Sequence, residues 1–336
     1  MRVGHYRMCD LRVASASGDE FAKSDGSSRF CGAPQGLVWS GSSRYEAQMS
    51  HTRHRAAGNR SPVASRPRPS QPVSGAEGHA PSSLSPATWF FLLYSPVWVG
   101  AVAAVLFSGA FARWHDREYL LFGFAVAAPI WLWPVLRSRR SPTLASASVG
   151  RQGAKLALFV TVLSFLQNYF GTPFFTRCFG LEYRFPARIA LNGYPVFLSL
   201  LTVAYFATYF AVMSAGLRLV ERLTRRTLAG APRLRRLCRL GVTLILAYCM
   251  AFVETLTMAT DLLAGYFTYA SKDRMLLVGS LCYGTLLFCS QLAYLRIEEE
   301  PGGPRSFRQV TWDALAVSML VLCLYELFAY LLARWA

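Results

Sequence analysis

Histidine is nearly missing from this chain: there are five, all at or before His115, so the final two-thirds of the sequence has none. Membrane desaturases and hydroxylases hold iron in clustered histidines, and a metal–oxygen mechanism is therefore excluded. The eight cysteines are scattered, with no Cys-x-x-Cys pair, so neither a disulfide framework nor a zinc site is indicated. No glycine-rich dinucleotide fingerprint follows a strand, which argues against a cofactor-bound reductase. No compact apolar stretch follows the basic start, so a secretory signal is not expected. Charge is scarce as well, 16% of residues against 53% hydrophobic. What remains for chemistry is side-chain protons, aromatic faces and shape.

The apolar residues are unevenly spread. Residues 1–88 are rich in Ser, Gly, Pro and Arg, as in "SRPRPSQPVSGAEGHAPSS", with 11 Lys/Arg against 6 Asp/Glu. Such a stretch cannot bury enough apolar surface to offset its ordering entropy, and it is expected to be disordered. Its Arg and Ser content also suits a transit peptide, and both readings stay open.

From Trp89 onward the pattern changes. Apolar segments run at about 89–111, 118–136, 155–178, 194–217, 239–261, 275–295 and 313–333. Each is long enough to cross ~30 Å of hydrocarbon at 1.5 Å per residue. A soluble helical core would show a polar stripe at every turn, and these segments do not. The expectation is an all-α, polytopic transmembrane bundle of about seven spans over 89–336. The second segment, interrupted by Pro129 and Pro134, is the weakest of the seven.

Loop charge gives an orientation. Loops 2–3, 4–5 and 6–7 carry sixteen Lys/Arg, Lys155 included, against eight on the other side. The positive-inside bias then puts the N-terminus in the cytosol. The net charge of +17 needs no nucleic-acid partner. A juxtamembrane basic loop such as "RLVERLTRRTLAGAPRLRRLCR" faces anionic lipid headgroups.

An ionisable group inside a span is costly and is a functional candidate by default. Glu254, in "LILAYCMAFVETLTMATDLL", lies deep in the fifth segment. A carboxyl withdrawn from water keeps its proton, because desolvation disfavours the charged form, and it is then a general acid. A neutral Glu that only ties one helix to another would look the same in sequence. Asp261 follows seven residues later, so the two carboxylates are expected on one face, about 10 Å apart along the axis, with Asp261 close enough to the span end to be wet. Glu326, in "LYELF", is a second buried carboxyl candidate. Tyr169, Phe170, Phe174, Phe175, Tyr183, Phe185, Tyr205, Tyr209, Tyr266 and Tyr283 are numerous enough to line a cavity for a flat apolar ligand and to steady a positive charge. Within "SFLQNYFGTPFF", polar groups sit among apolar ones beside Gly171 and Pro173, which loosen the backbone.

Set end to end, "FFLLYSPVW" (90–98), "EYLL" (118–121), "NYF" (168–170), "GLEYRFP" (180–186), "AYCMAFVETL" (247–256), "KDRM" (272–275) and "WDALAVSML" (312–320) resemble the cycloeucalenol cycloisomerase family. The likeness covers about 89–333. That family opens the 9β,19-cyclopropane ring of cycloeucalenol to give obtusifoliol, a redox-neutral isomerisation in sterol biosynthesis. The resemblance implies a cyclopropyl sterol substrate, protonation at C19, proton loss from C8 and no cofactor. It also implies residence in the endoplasmic reticulum. Asn168, Tyr169, Phe170 and Thr172 fall on the family's "NYFxT", Tyr183 and Phe185 on its "YxFP", and Glu254 with Thr255 on its "ET"; Tyr209, Asp273, Arg274 and Asp313 also match. The family has histidine where Pro173 stands, and more in the fourth segment, so the lack of histidine here shifts weight onto Glu254. Glu254, Tyr169 and Asn168 are thus the catalytic candidates, and Phe170, Thr172, Tyr183, Phe185, Tyr209, Thr255 and Tyr283 the substrate-binding ones. Asn168 and Tyr169 are expected to face the pocket, with Gly171 and Pro173 opening the helix. The same scaffold would also suit a polytopic protein that binds or carries a sterol without changing it.

Overall fold

The computed structural model describes residues 83–140, 144–300 and 304–334. The disorder and targeting expectations for 1–88 fall almost wholly outside the described residues. The first helix, α1 (Pro86–Phe107), begins three residues before Trp89, with the Ser85 hydroxyl capping the Thr88 amide and Pro86 at its first turn. It is followed by α2 (Asp116–Arg140), α3 (Leu144–Leu166), α4 (Thr172–Phe179), α5 (Val196–Thr224), α6 (Pro232–Met258), α7 (Lys272–Arg274), α8 (Ser280–Glu299) and α9 (Phe307–Arg334). Two π-turns, Gln167–Gly171 and Met275–Gly279, join α3 to α4 and α7 to α8.

Seven helical stretches among the described residues are long and apolar enough to cross a membrane. They are Pro86–Phe107, Asp116–Arg139, Leu144–Phe179, Val196–Thr224, Pro232–Met258, Lys272–Glu299 and Phe307–Arg334. The protein is a polytopic transmembrane helix bundle. The second span, doubtful in sequence, runs unbroken through Pro129 and Pro134. Neighbouring helices carry such prolines, and here α2 leans on α3 and α5 along its length. The third span starts at Leu144 rather than near 155, and Lys155 belongs inside it. Its ammonium meets Glu300 at 2.6 Å, and this pairing makes a buried lysine tolerable.

Helix α5 is the central column, packed against α1, α2, α3, α6 and α8. Ala204, Ala207 and Ala211 are buried along it, and such small residues let backbones approach where lipid supplies no hydrophobic drive. Helices α6 and α8 pack tightly at Gly284, where a Cβ would lie 3.2 Å from Tyr248 Cα. At one end of the bundle Arg218 is gripped by Glu299 at 2.6 Å, Glu221 at 3.2 Å and Glu298 at 3.8 Å. Arg239 joins the same cluster through Glu299 at 2.6 Å, tying α5, α6 and α8 together.

The opposite end is closed by two short strand pairs. Strand β1 (Glu182–Tyr183) pairs antiparallel with β4 (Phe267–Thr268), with Tyr183 opposite Phe267. Strands β2 (Ala190–Leu191) and β3 (Tyr194–Pro195) form a second ladder. Gly180 makes the first possible. It ends α4 at φ +63°, and a Cβ there would strike Ala270 at 2.7 Å.

Candidate active site

Glu254 lies one turn before the end of α6, where α5, α6 and α8 converge under the strand cap. Its Oε2 accepts a 2.5 Å hydrogen bond from the Tyr283 hydroxyl on α8. The Tyr209 hydroxyl on α5 is a second, looser partner of the same carboxyl. The Glu254 side chain is thus fixed from two helices rather than left to rotate.

Two cavities meet at this carboxyl. The first is the smaller and the more polar of the two, about 110 Å³. Asn168, Thr172, Tyr183, Tyr194, Thr202, Tyr269, Tyr283 and Tyr325 bring amide and hydroxyl groups to its wall. Asn168 Nδ2 donates to Thr202 Oγ1 at 2.9 Å, and the Tyr194 hydroxyl reaches the same oxygen at 3.5 Å. Thr172 partners the Tyr183 phenol. Loss of water around Tyr183, Tyr194 and Tyr269, which lie between spans, pushes their phenols above the ordinary tyrosine value. They remain protonated donors across the physiological range. Gln167 Oε1 and the Tyr325 hydroxyl, both buried on this wall, have no hydrogen-bond partner among the described residues.

The second cavity is larger, about 460 Å³, and almost wholly apolar. Trp98, Val102 and Leu106 of α1 face Met250, Val253 and Thr257 of α6 across it, with Phe197, Leu201 and Tyr205 of α5 as the floor. Phe111 and Phe185 close one end. Glu254 belongs to both walls, together with Leu198, Tyr205, Met258 and Phe267. Among the described residues it is the one carboxyl bordering either space.

Of the residues singled out in sequence, Asn168, Thr172, Tyr183, Glu254, Thr255 and Tyr283 gather at the polar cavity, and Phe185 and Tyr209 at the apolar one. Tyr169 and Phe170 do not join them. The two residues are 41% and 51% exposed, their rings pack edge to face on each other, and they border neither cavity. The π-turn is the reason. Its i→i+5 step widens the helix by a residue, so Gln167, Asn168, Gly171 and Thr172 face inward and the two rings face out.

Two carboxylates also stand elsewhere than the sequence suggests. Asp261 lies past the end of α6 at Met258, fully exposed and 3.7 Å from Lys272, so no helical face joins it to Glu254. Glu326 points outward and pairs with Arg177 at 3.1 Å. The inward residue of that turn is Tyr325, which sequence reading passed over; the charged neighbour was the louder signal. Tyr194, Tyr269 and Thr202 were missed too, because an isolated Tyr or Thr at a span end reads as an anchor.

The structure is thus a polytopic transmembrane helix bundle with a tyrosine-held acid where an apolar cavity meets a smaller, more polar one. Comparison with known proteins supplies a name for the likeness. The chain is similar to cycloeucalenol cycloisomerase of Arabidopsis thaliana, 27% identical over 241 residues, which is 71% of this chain and 83% of that protein. This is the family whose motifs the sequence resembles. No protein-family model and no solved structure matches.

Proposed function

We propose that this protein is a cofactor-independent isomerase that opens the cyclopropane ring of a 9β,19-cyclopropyl sterol, with Glu254 as the acid. The observation that carries the reading is the Tyr283–Glu254 hydrogen bond at the junction of the two cavities. The name of the Arabidopsis relative supports the substrate class.

Because Oε2 accepts from Tyr283, the other carboxyl oxygen of Glu254 is left to carry the transferable proton. That proton goes to C19 while the C9–C19 bond breaks, its electron pair forming the new C–H bond. Positive charge then develops at C9. The C8 proton passes back to the Glu254 carboxylate, directly or by way of the hydroxyls around it, and its bonding pair becomes the C8–C9 double bond, so the product has the mass of the substrate. Glu254 leaves the first step as a carboxylate, and its hydrogen bonds strengthen as charge develops. Interactions that tighten in the transition state are the ones that accelerate the step. The aromatic walls steady the cation, and exclusion of bulk water protects it. The hydroxyls behind Glu254 offer a route by which a proton returns to it between turnovers.

Asn168 serves in this reading through Thr202 and the wall of the polar cavity. In this reading membrane lipids surround the bundle, the excess of Lys and Arg in alternate loops favours a cytosolic N-terminus, and the endoplasmic reticulum is the compartment the chemistry suits.

The test is expression in a host supplied with cycloeucalenol, looking for an isomer of equal mass, beside the Glu254→Gln variant. Wild type should form the isomer, and the variant should bind sterol without converting it. A protein that only carries sterol would need the apolar walls but not the acid, and it would yield no isomer from either form.

A further inference from the structure

The two cavities differ in size and in lining. The more polar one is small and has hydroxyls and amides among its apolar side chains, with two buried polar groups that lack partners among the described residues, Gln167 Oε1 and the Tyr325 hydroxyl. Buried polar groups of that kind are usually satisfied by water, and a water needs only some 10–15 Å³ of such space. Several waters fit; a rigid tetracycle does not. The apolar one lies within the roughly 300–1,000 Å³ that small-molecule sites occupy, and it has the make-up of such sites, apolar walls with a few polar groups.

The apolar cavity also has a side entrance. Helices α1 and α6 each pack on α5 and share little contact with one another, so a cleft runs between them down to Tyr205 and Glu254. Its lip carries large apolar side chains exposed at the bundle surface, including Val99, Phe107 and Val253. These belong to spanning helices, so the cleft opens sideways onto hydrocarbon rather than onto water.

We infer that the sterol enters Glu254's reach laterally from the bilayer, through the cleft between α1 and α6, and lies there while the polar cavity behind the carboxyl holds water and returns protons. This rests on the sterol-isomerase reading for its ligand class. A sterol is the fitting occupant because it is rigid, nearly all hydrocarbon and already dissolved in the membrane. The cleft ends on the acid, which an ordinary acyl chain would have no use for.

The test uses the full chain in phosphatidylcholine nanodiscs with a cyclopropyl sterol bearing a diazirine. Photolabel is expected on α1 and α6 facing the cleft, and unlabelled cycloeucalenol should compete it away. Val102→Trp and Val253→Trp, which narrow the cleft, should each raise KM about tenfold or more with kcat little changed. Met319→Trp, on an exposed face of α9, should leave both unchanged. Label on the walls of the polar cavity would overturn the inference. So would label in the cleft that excess sterol fails to compete, which would assign the cleft to phospholipid. Normal KM in both tryptophan variants would overturn it as well. Competed label in the cleft of a protein that forms no isomer would uphold the sterol site and sink only the isomerase reading.

Discussion

Tyr283 holds Glu254 by a 2.5 Å hydrogen bond from α8 to α6, and one residue on, at Gly284, the same two helices pack so tightly that a Cβ would lie 3.2 Å from Tyr248 Cα. The acid and its support are therefore set by one helix–helix seam. The sequence separates the two residues by 29 positions, and only the packing of α6 on α8 joins them.

The first prediction concerns that bond. Tyr283→Phe removes the hydroxyl and keeps the ring against Phe175. A hydrogen bond to a charged group contributes about 1.5–3 kcal/mol, and here the charge forms only as the proton leaves. At 1.36 kcal/mol per decade, kcat should fall about ten- to a hundredfold with KM nearly unchanged. Steady-state kinetics checks the split. A rise in KM alone would make Tyr283 a contact of the sterol rather than a support of the acid.

A second prediction separates the inward and outward faces of the π-turn. Tyr169→Phe should turn over within about twofold of wild type, since the Tyr169 side chain borders neither cavity and surface changes of this kind cost little. Asn168→Ala should lower kcat, because it strips Thr202 of its donor and roughens the polar wall. Equal damage from both would place Tyr169 back beside the substrate.

Much of this architecture is written in hydropathy. Seven apolar stretches predict seven spans, and they are found because each must cover the same thickness of hydrocarbon. Where the prediction slips, a partner from another helix is responsible. Lys155 reads as a loop residue until Glu300 pairs with it, and Pro129 and Pro134 read as breaks until α3 and α5 support α2. Glu254 is legible because a lone carboxyl among apolar residues has no cheap explanation. Its neighbours are less so. Asp261 and Glu326 are carboxylates in the same kind of apolar stretch, and the end of α6 at Met258 and the rotation of α9 separate them from it. The π-turn is silent in composition, because it is a change of hydrogen-bond register and not of residue type.

A third prediction concerns the ionic end of the bundle. The Arg218 side chain is 3% exposed and that of Glu298 is 1% exposed. Arg218→Met would leave buried carboxylates short of a partner, a loss of about 3–5 kcal/mol. Thermal unfolding in detergent should shift clearly downward. Arg239 of this cluster lies fifteen residues before Glu254 on α6, or about 22 Å away. Turnover per folded molecule in the cold should therefore persist. A variant as stable as wild type would mean that Arg239 alone neutralises Glu299.

The last prediction uses two glycines in different surroundings. Gly284→Val would drive side-chain atoms into Tyr248, whose Cα would already sit 3.2 Å from a Cβ at that position. Forcing α8 away from α6 should cost about 1–3 kcal/mol, as overpacking usually does. It should also lengthen the Tyr283–Glu254 bond, so kcat falls together with stability. Gly100 on α1 has nothing within 4 Å of its would-be Cβ, and Gly100→Val should leave both kinetics and unfolding close to wild type. Measuring kcat and thermal midpoint for the pair checks the seam directly. If Gly284→Val loses stability yet keeps full turnover, then the acid does not depend on the α6–α8 contact, and Tyr209 on α5 is its effective support.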